Sequence, residues 1–193
     1  ALEPEANTPL AETYYEVTRY FRGLERYQGS GSGSYTSPIQ SRCQKNFGIV
    51  VTDGLPTHDR SFPDDDPDRD NPNVVGDNNL PNWDGLQPAV GQAYSDGNAP
   101  DDSSRNGEGD TLFLDDIAKF AFDIDLKQTG TDQAGKSFND KAFLKQNMLT
   151  YTVGFALDNQ MLLDAAGYGK VVYYTASDSA SLSSALNAAL QSI

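Results

Sequence analysis

Oxygen ligands are the side chains of this chain best equipped for chemistry. Asp66, Asp68 and Asp70 stand at alternating positions, Asn71 and Asn73 follow, and Asp77 falls at the twelfth position counted from Asp66. Carboxylates at this spacing can wrap around Ca²⁺ as in the first half of an EF-hand loop. Asn71 replaces the turn glycine of such a loop, Pro72 stiffens it, and Asp77 is shorter than the usual bidentate glutamate. The same residues also read as a solvated acidic loop. Under the calcium reading, Ca²⁺ should protect this segment from proteolysis.

A second oxygen pair is Thr8 and Asp53. Thr8 precedes Pro9 and an amphipathic stretch, while Asp53 ends the apolar run Asn46–Thr52 with Gly54 behind it. The two would converge at the carboxyl edge of one sheet. Each also has a plain structural reading, Thr8 as a helix cap and Asp53-Gly54 as a strand-ending turn. Nucleophilic chemistry finds little support. His58 is the only histidine, and neither a Gly-x-Ser-x-Gly elbow nor a second basic partner accompanies it. The single Cys43 precedes a strand without an activating helix terminus, and phosphate loops and Cys/His zinc spacings are missing. The expectation is a protein that is not an enzyme. Cys43 is either a small buried side chain or the partner of a thiol outside these residues.

The elements that must position these groups follow from periodicity. Pro9 suits a first helical position, and Leu10, Tyr14, Val17, Phe21 and Leu24 recur at helical spacing, predicting a helix to about Tyr27. Gln28–Tyr35 alternates Gly and Ser as a loop. Phe47–Thr52 is a short β-branched run of the kind buried on both faces inside a parallel sheet. Asp110 is placed to cap a helix to about Asp123, Leu149–Phe155 reads as a second strand, and Leu157–Ala166 as a helix closing at Gly167. Val171–Tyr174 reads as a third strand, followed by a helix capped at Ser177–Ser179 with Leu182, Leu186, Ala189, Leu190 and Ile193 on its apolar face. Strands alternating with helices predict an α/β fold, an open and mostly parallel sheet with helices on both faces.

Charge separates one segment from the rest. Residues 56–109 hold 12 acids against three arginines, a net of −9 out of the chain's formal −14, and read as an acidic, loop-rich insertion within a single domain spanning 1–193. Phe62, Leu80, Trp83, Leu86 and Tyr94 are its large apolar groups and would form a small anchor. An acidic chain repels a phosphate backbone, so nucleic acid is excluded as the expected partner, whereas divalent cations are favoured. No apolar run reaches the length of a membrane span, and no charged-then-apolar leader opens the chain, so export would be directed by sequence outside it.

On the stretches TPLAETYYEVTRYFRG, TSPIQSRCQKNFGIVVTDGLPTHD, LDDIAKFAFDIDL, NMLTYTVGFALDNQMLLDAAGYG and VVYYTASDSASLSSALNAAL, the chain resembles the von Willebrand factor A-like region of the PilC/PilY1 proteins. These are tip-associated adhesins and assembly factors of bacterial type IV pili. The resemblance implies a Rossmann-type A-like fold, of which these residues would form the C-terminal part, incomplete at its N-terminal side. It implies a metal-dependent adhesion site built from an Asp-x-Ser-x-Ser segment on a first strand, a Thr in a later loop and an Asp after the fourth strand. Thr8 matches the Thr and Asp53 the Asp, while no Asp-x-Ser-x-Ser stands upstream of Thr8. The implied ion is Mg²⁺ or Ca²⁺. Mg²⁺ wants six oxygens in near-octahedral array, so the expectation for this chain alone is weak binding at Thr8 and Asp53. Further implications are an extracellular, cell-surface or pilus-tip location and a host or surface ligand. Minor pilins are implied as partners, and so is an upstream half of the same domain, or another chain, to complete the sheet. The alternative is a purely structural role, packing against pilin-like subunits or that upstream half without ligand binding.

Overall fold

The computed structural model describes residues 8–27, 31, 33–56, 59, 61–68, 79–85 and 112–193. Three strands form one parallel sheet in the order β1 (Asn46–Thr52), β2 (Met148–Phe155), β3 (Tyr173–Ala176). The β1–β2 register places Phe47 beside Leu149 and Val51 beside Val153, and the β2–β3 register places Thr152 beside Tyr173. The helices are α1 (Leu10–Arg22), α2 (Leu114–Asp123), α3 (Gln160–Tyr168) and α4 (Ser179–Ser192), with a 3₁₀ turn at Leu80–Asn82. The order of elements is the one read from the sequence, and the α/β class with an open parallel sheet holds. No helix among the described residues is long and apolar enough to cross a membrane.

Alternation along β2 sorts the helices onto two faces. Thr150 Oγ1 meets the Tyr14 hydroxyl of α1 at 2.6 Å and Thr152 Oγ1 donates to the Leu162 carbonyl of α3 at 2.6 Å, so the even positions face α1 and α3. Tyr151 and Val153 point the other way and are buried beneath α4, which packs on β2 and β3. The larger core lies on the first face, around Tyr15, Ile117, Phe120, Ile124 and Leu162. The acidic segment contributes to it. Phe62, Leu80 and Trp83 are buried there, and the Trp83 and Phe120 rings meet edge to face at 4.9 Å. Leu86 and Tyr94 lie outside the described residues, as do 69–78 and 86–111, which make up most of that segment.

Local chemistry moves several boundaries. α1 stops at Arg22 rather than near Tyr27 because Gly23 adopts a left-handed conformation (φ 72°) and the Leu24 N–H turns back to the Arg19 carbonyl. Its buried stripe is Ala11, Tyr14, Tyr15, Thr18 and Arg22, which keeps Tyr14 of the expected line but is rotated so that Leu10, Val17 and Phe21 are only partly buried. α3 starts at Gln160, where the Asn159 side chain accepts from the Met161 N–H. β3 begins two residues later than expected. α4 is capped by Asp178, reciprocally with Ser181, and it packs through Ala185 and Ala189 while Leu190 and Ile193 stay exposed. Two further expectations need correction. The run expected inside the sheet, β1, is an edge strand among the described residues, and its residues from Phe47 to Val51 are half-buried or exposed. Cys43 is an exposed free thiol, not a buried side chain.

Candidate binding face at the β1 edge

Nothing among the described residues pairs with the outer edge of β1. In a parallel ladder alternate residues of a strand bond to one neighbour, so about half of the β1 N–H and C=O groups point away from β2. Beside this edge lies a groove of about 480 Å³, lined by Thr8 ahead of α1, by Leu10, Thr13, Tyr14 and Val17 of α1 and by Gly48–Val51 of β1. Its walls are mainly apolar and β-branched. Tyr14 forms the inner wall, and it fits because residue 48 is glycine. A Cβ there would collide with the Tyr14 hydroxyl. Burial holds the Tyr14 phenol well above its ordinary range, so it stays protonated and bound to Thr150.

Both ends of α1 are pinned by acids of the acidic segment. At the N-terminus Asp59 is fully buried and accepts from the Ala11 N–H at 2.7 Å and the Glu12 N–H at 2.8 Å, doing from a distance what Thr8 was expected to do as a cap. Pro9 occupies the cap position itself, with no side-chain cap bond. Burial pushes the Asp59 carboxyl up to about 7, against the pull of the Ala11 and Glu12 N–H groups. At the C-terminus Arg22 Nη1 donates to Asp66 Oδ1 at 2.7 Å and Asp68 Oδ2 at 2.6 Å, and Nη2 donates to Asp66 Oδ2 at 2.8 Å. The Tyr15 hydroxyl adds a bond to Asp66 Oδ2 at 2.7 Å, and Gln128 Nε2 one to Asp68 Oδ1 at 3.0 Å. Burial opposes ionisation of Asp66, but the Arg22 guanidinium outweighs it and leaves that carboxyl below the usual range.

Two of the four residues of the candidate calcium loop are therefore occupied. Asp66 and Asp68 neutralise Arg22, and a cation binding there would have to displace a buried guanidinium. Asp70 and Asp77 lie outside the described residues, as does His58. Thr8 lines the groove together with Gly48–Val51, and Asp53 stands one residue beyond the strand, outside that lining. The turn is closed by Thr52, whose hydroxyl donates to the Gly54 carbonyl at 2.8 Å, and Asp53 is exposed. One hydroxyl and one carboxylate supply two of the six oxygens Mg²⁺ needs, so these residues fit such an ion as part of a larger ligand set. No group of three or more His, Cys, Asp or Glu side chains able to hold a metal occurs among the described residues.

Arg22 and Asp59 are the residues that motif reasoning missed. Arg22 stands four residues after Thr18 and seven after Tyr15, but the apolar line read from the sequence leaves it out, and the need of a buried guanidinium for a carboxylate partner follows only once the stripe of α1 is known. Asp59 carried no signal, because its role depends on chain folding back over 48 positions. Comparison with known protein families, characterised proteins and solved structures finds no match for this chain. The fold alone defines its class, an α/β module with three parallel strands and four helices among the described residues, consistent with a Rossmann-like fold.

Proposed function

We propose that this chain is the C-terminal part of a von Willebrand factor A-like domain and serves as a non-enzymatic adhesion and assembly module of a type IV pilus tip protein of the PilC/PilY1 kind. The observation that carries the reading is the β1 edge, unpaired among the described residues, with its apolar groove lined in part by Thr8 and with Asp53 one residue beyond the strand. A first strand bearing Asp-x-Ser-x-Ser would have to lie parallel to β1 on that edge to bring its ligands beside Asp53. Such a strand gains main-chain hydrogen bonds along the edge and covers Ile49 and Val51. The completed site would hold Mg²⁺ or Ca²⁺, and an acidic group on a host or surface ligand would fill the last coordination position.

The structural alternative rests on the same edge. Under it the edge strand completes the sheet and packs against pilin-like subunits, and Asp53 is only a turn residue. Two substitutions in the piliated cell separate the readings. Val51→Lys at the edge should reduce the number of pili under either. Asp53→Ala should abolish divalent-dependent attachment with pilus number unchanged if the module is adhesive. Attachment that survives Asp53→Ala assigns the structural role, and wild-type pilus number and attachment in both variants would refute the whole reading.

A further inference from the structure

At the opposite end of the sheet, where β1 and β2 begin, a second pocket of about 310 Å³ is lined by Arg42, Cys43, Lys45, Phe143, Lys145 and Leu149, with neutral amides completing the wall. Three cations and no carboxylate face this pocket, in a chain whose formal charge is −14. Arg42 is already engaged by Asp132 at 3.0 Å and Asp140 at 3.4 Å. Lys45 and Lys145 have no ion-pair partner among the described residues. Lys145 is half-buried with its ammonium 5.1 Å from the Phe122 ring, and burial holds it below the usual lysine range although Asp123 pulls the other way. Phe143 is 40% exposed, with the Arg42 guanidinium 5.5 Å from its ring, and Leu149 is partly exposed, so the pocket lining has an apolar part beside its cations.

We propose that this pocket binds an acidic peptide segment of a partner protein, its carboxylates meeting Lys45 and Lys145 and an apolar side chain lying against Phe143 and Leu149. A short peptide brings few charges to an acidic protein, whereas a polyphosphate would be repelled by the rest of the surface. The site is distinct from the β1 edge and does not depend on the function proposed for it. Cys43, the single cysteine, is exposed in the pocket wall and reports its occupancy. The experiment follows the alkylation of Cys43 by iodoacetamide, a neutral reagent, while a short acetylated peptide of Glu with single Leu and Phe residues is added. Saturable slowing by about fivefold is expected, with none from the counterpart in which Gln replaces Glu. Lys45→Gln, an exposed site that leaves folding intact, should weaken this protection, Lys45→Gln with Lys145→Gln should remove it, and Arg26→Gln should leave it unchanged. No protection by the Glu peptide, equal protection by the Gln peptide, or protection that persists in the double variant would each overturn the proposal.

Discussion

β1 and β2 lie side by side in matched register, and both are short, apolar and β-branched. Within β2 the middle residues are buried, with Val153 at 0% exposure, whereas its register partner Val51 in β1 is 45% exposed. Tyr151 and Val153 have α4 over them, and Thr150 and Thr152 have α1 and α3. β1 has α1 on one face, through Tyr14 against Gly48, and among the described residues neither a second strand nor α4 completes its surroundings. The lesson is that the residues of β1 suit a strand with two neighbours and two covered faces, while the described fold supplies one neighbour and one face. The proposal of a partner strand rests on this mismatch.

The largest test of this contrast lies in what fixes α1 over β1. Arg22→Ala leaves Asp66 buried without a counter-charge and should cost about 3 to 5 kcal/mol in urea unfolding. Asp66 titrates lower folded than unfolded. Its contribution is therefore complete above its unfolded value near 4 and is lost as pH falls through the folded value, a dependence absent in Arg22→Ala. A smaller cost with an unchanged acid limb would mean that the ion pair does not hold α1.

Glycines give the next effect. A Cβ at Gly154 of β2 would strike the Leu157 backbone carbonyl, which cannot yield, so Gly154→Ala should cost about 3 kcal/mol. At Gly48 of β1 the obstacle is a side-chain hydroxyl, and Gly48→Ala should cost about 2 kcal/mol by pulling Tyr14 from Thr150. Gly54, with open space at its Cβ position, should change by at most about 0.5 kcal/mol. The register pair sharpens the contrast further. Val153→Ala should lose about 2 kcal/mol and Val51→Ala under about 1 kcal/mol, and equal losses would break the comparison between centre and edge.

The smallest effect is expected at Thr8 and Asp53. Calorimetric titration of this chain with Mg²⁺ should give no tight, stoichiometric isotherm, because two oxygens cannot replace the hydration shell. A tight isotherm abolished by Asp53→Ala would show that the set of ligands is already complete.

Much of the fold was legible because it is written in local periodicity. The helical spacing of α1, the β-branched strands and the Asp178 cap each depend on residues within a few positions of one another. The helix end at Gly23 and the start at Asn159 were readable in kind but moved by a few residues, since caps compete with periodicity at element ends. What sequence could not convey was non-local. The rank of β1 as edge or centre depends on which strands lie beside it, and the duties of Asp59, Asp66 and Asp68 depend on a segment doubling back onto α1. Alternating aspartates look the same whether they await a calcium ion or enclose an arginine. Only the position of Arg22 on a buried stripe distinguishes the cases.

The central claim, that the outer edge of β1 receives a parallel strand, is tested most directly by hydrogen exchange. In this chain alone the amides of Gly48–Val51 that point away from β2 should exchange at least about a hundredfold faster than those of Tyr151–Val153. In a polypeptide that carries the proposed upstream Asp-x-Ser-x-Ser strand they should slow to the β2 level. Fast exchange at the edge in that polypeptide, or protection equal to β2 in this chain alone, would contradict the account.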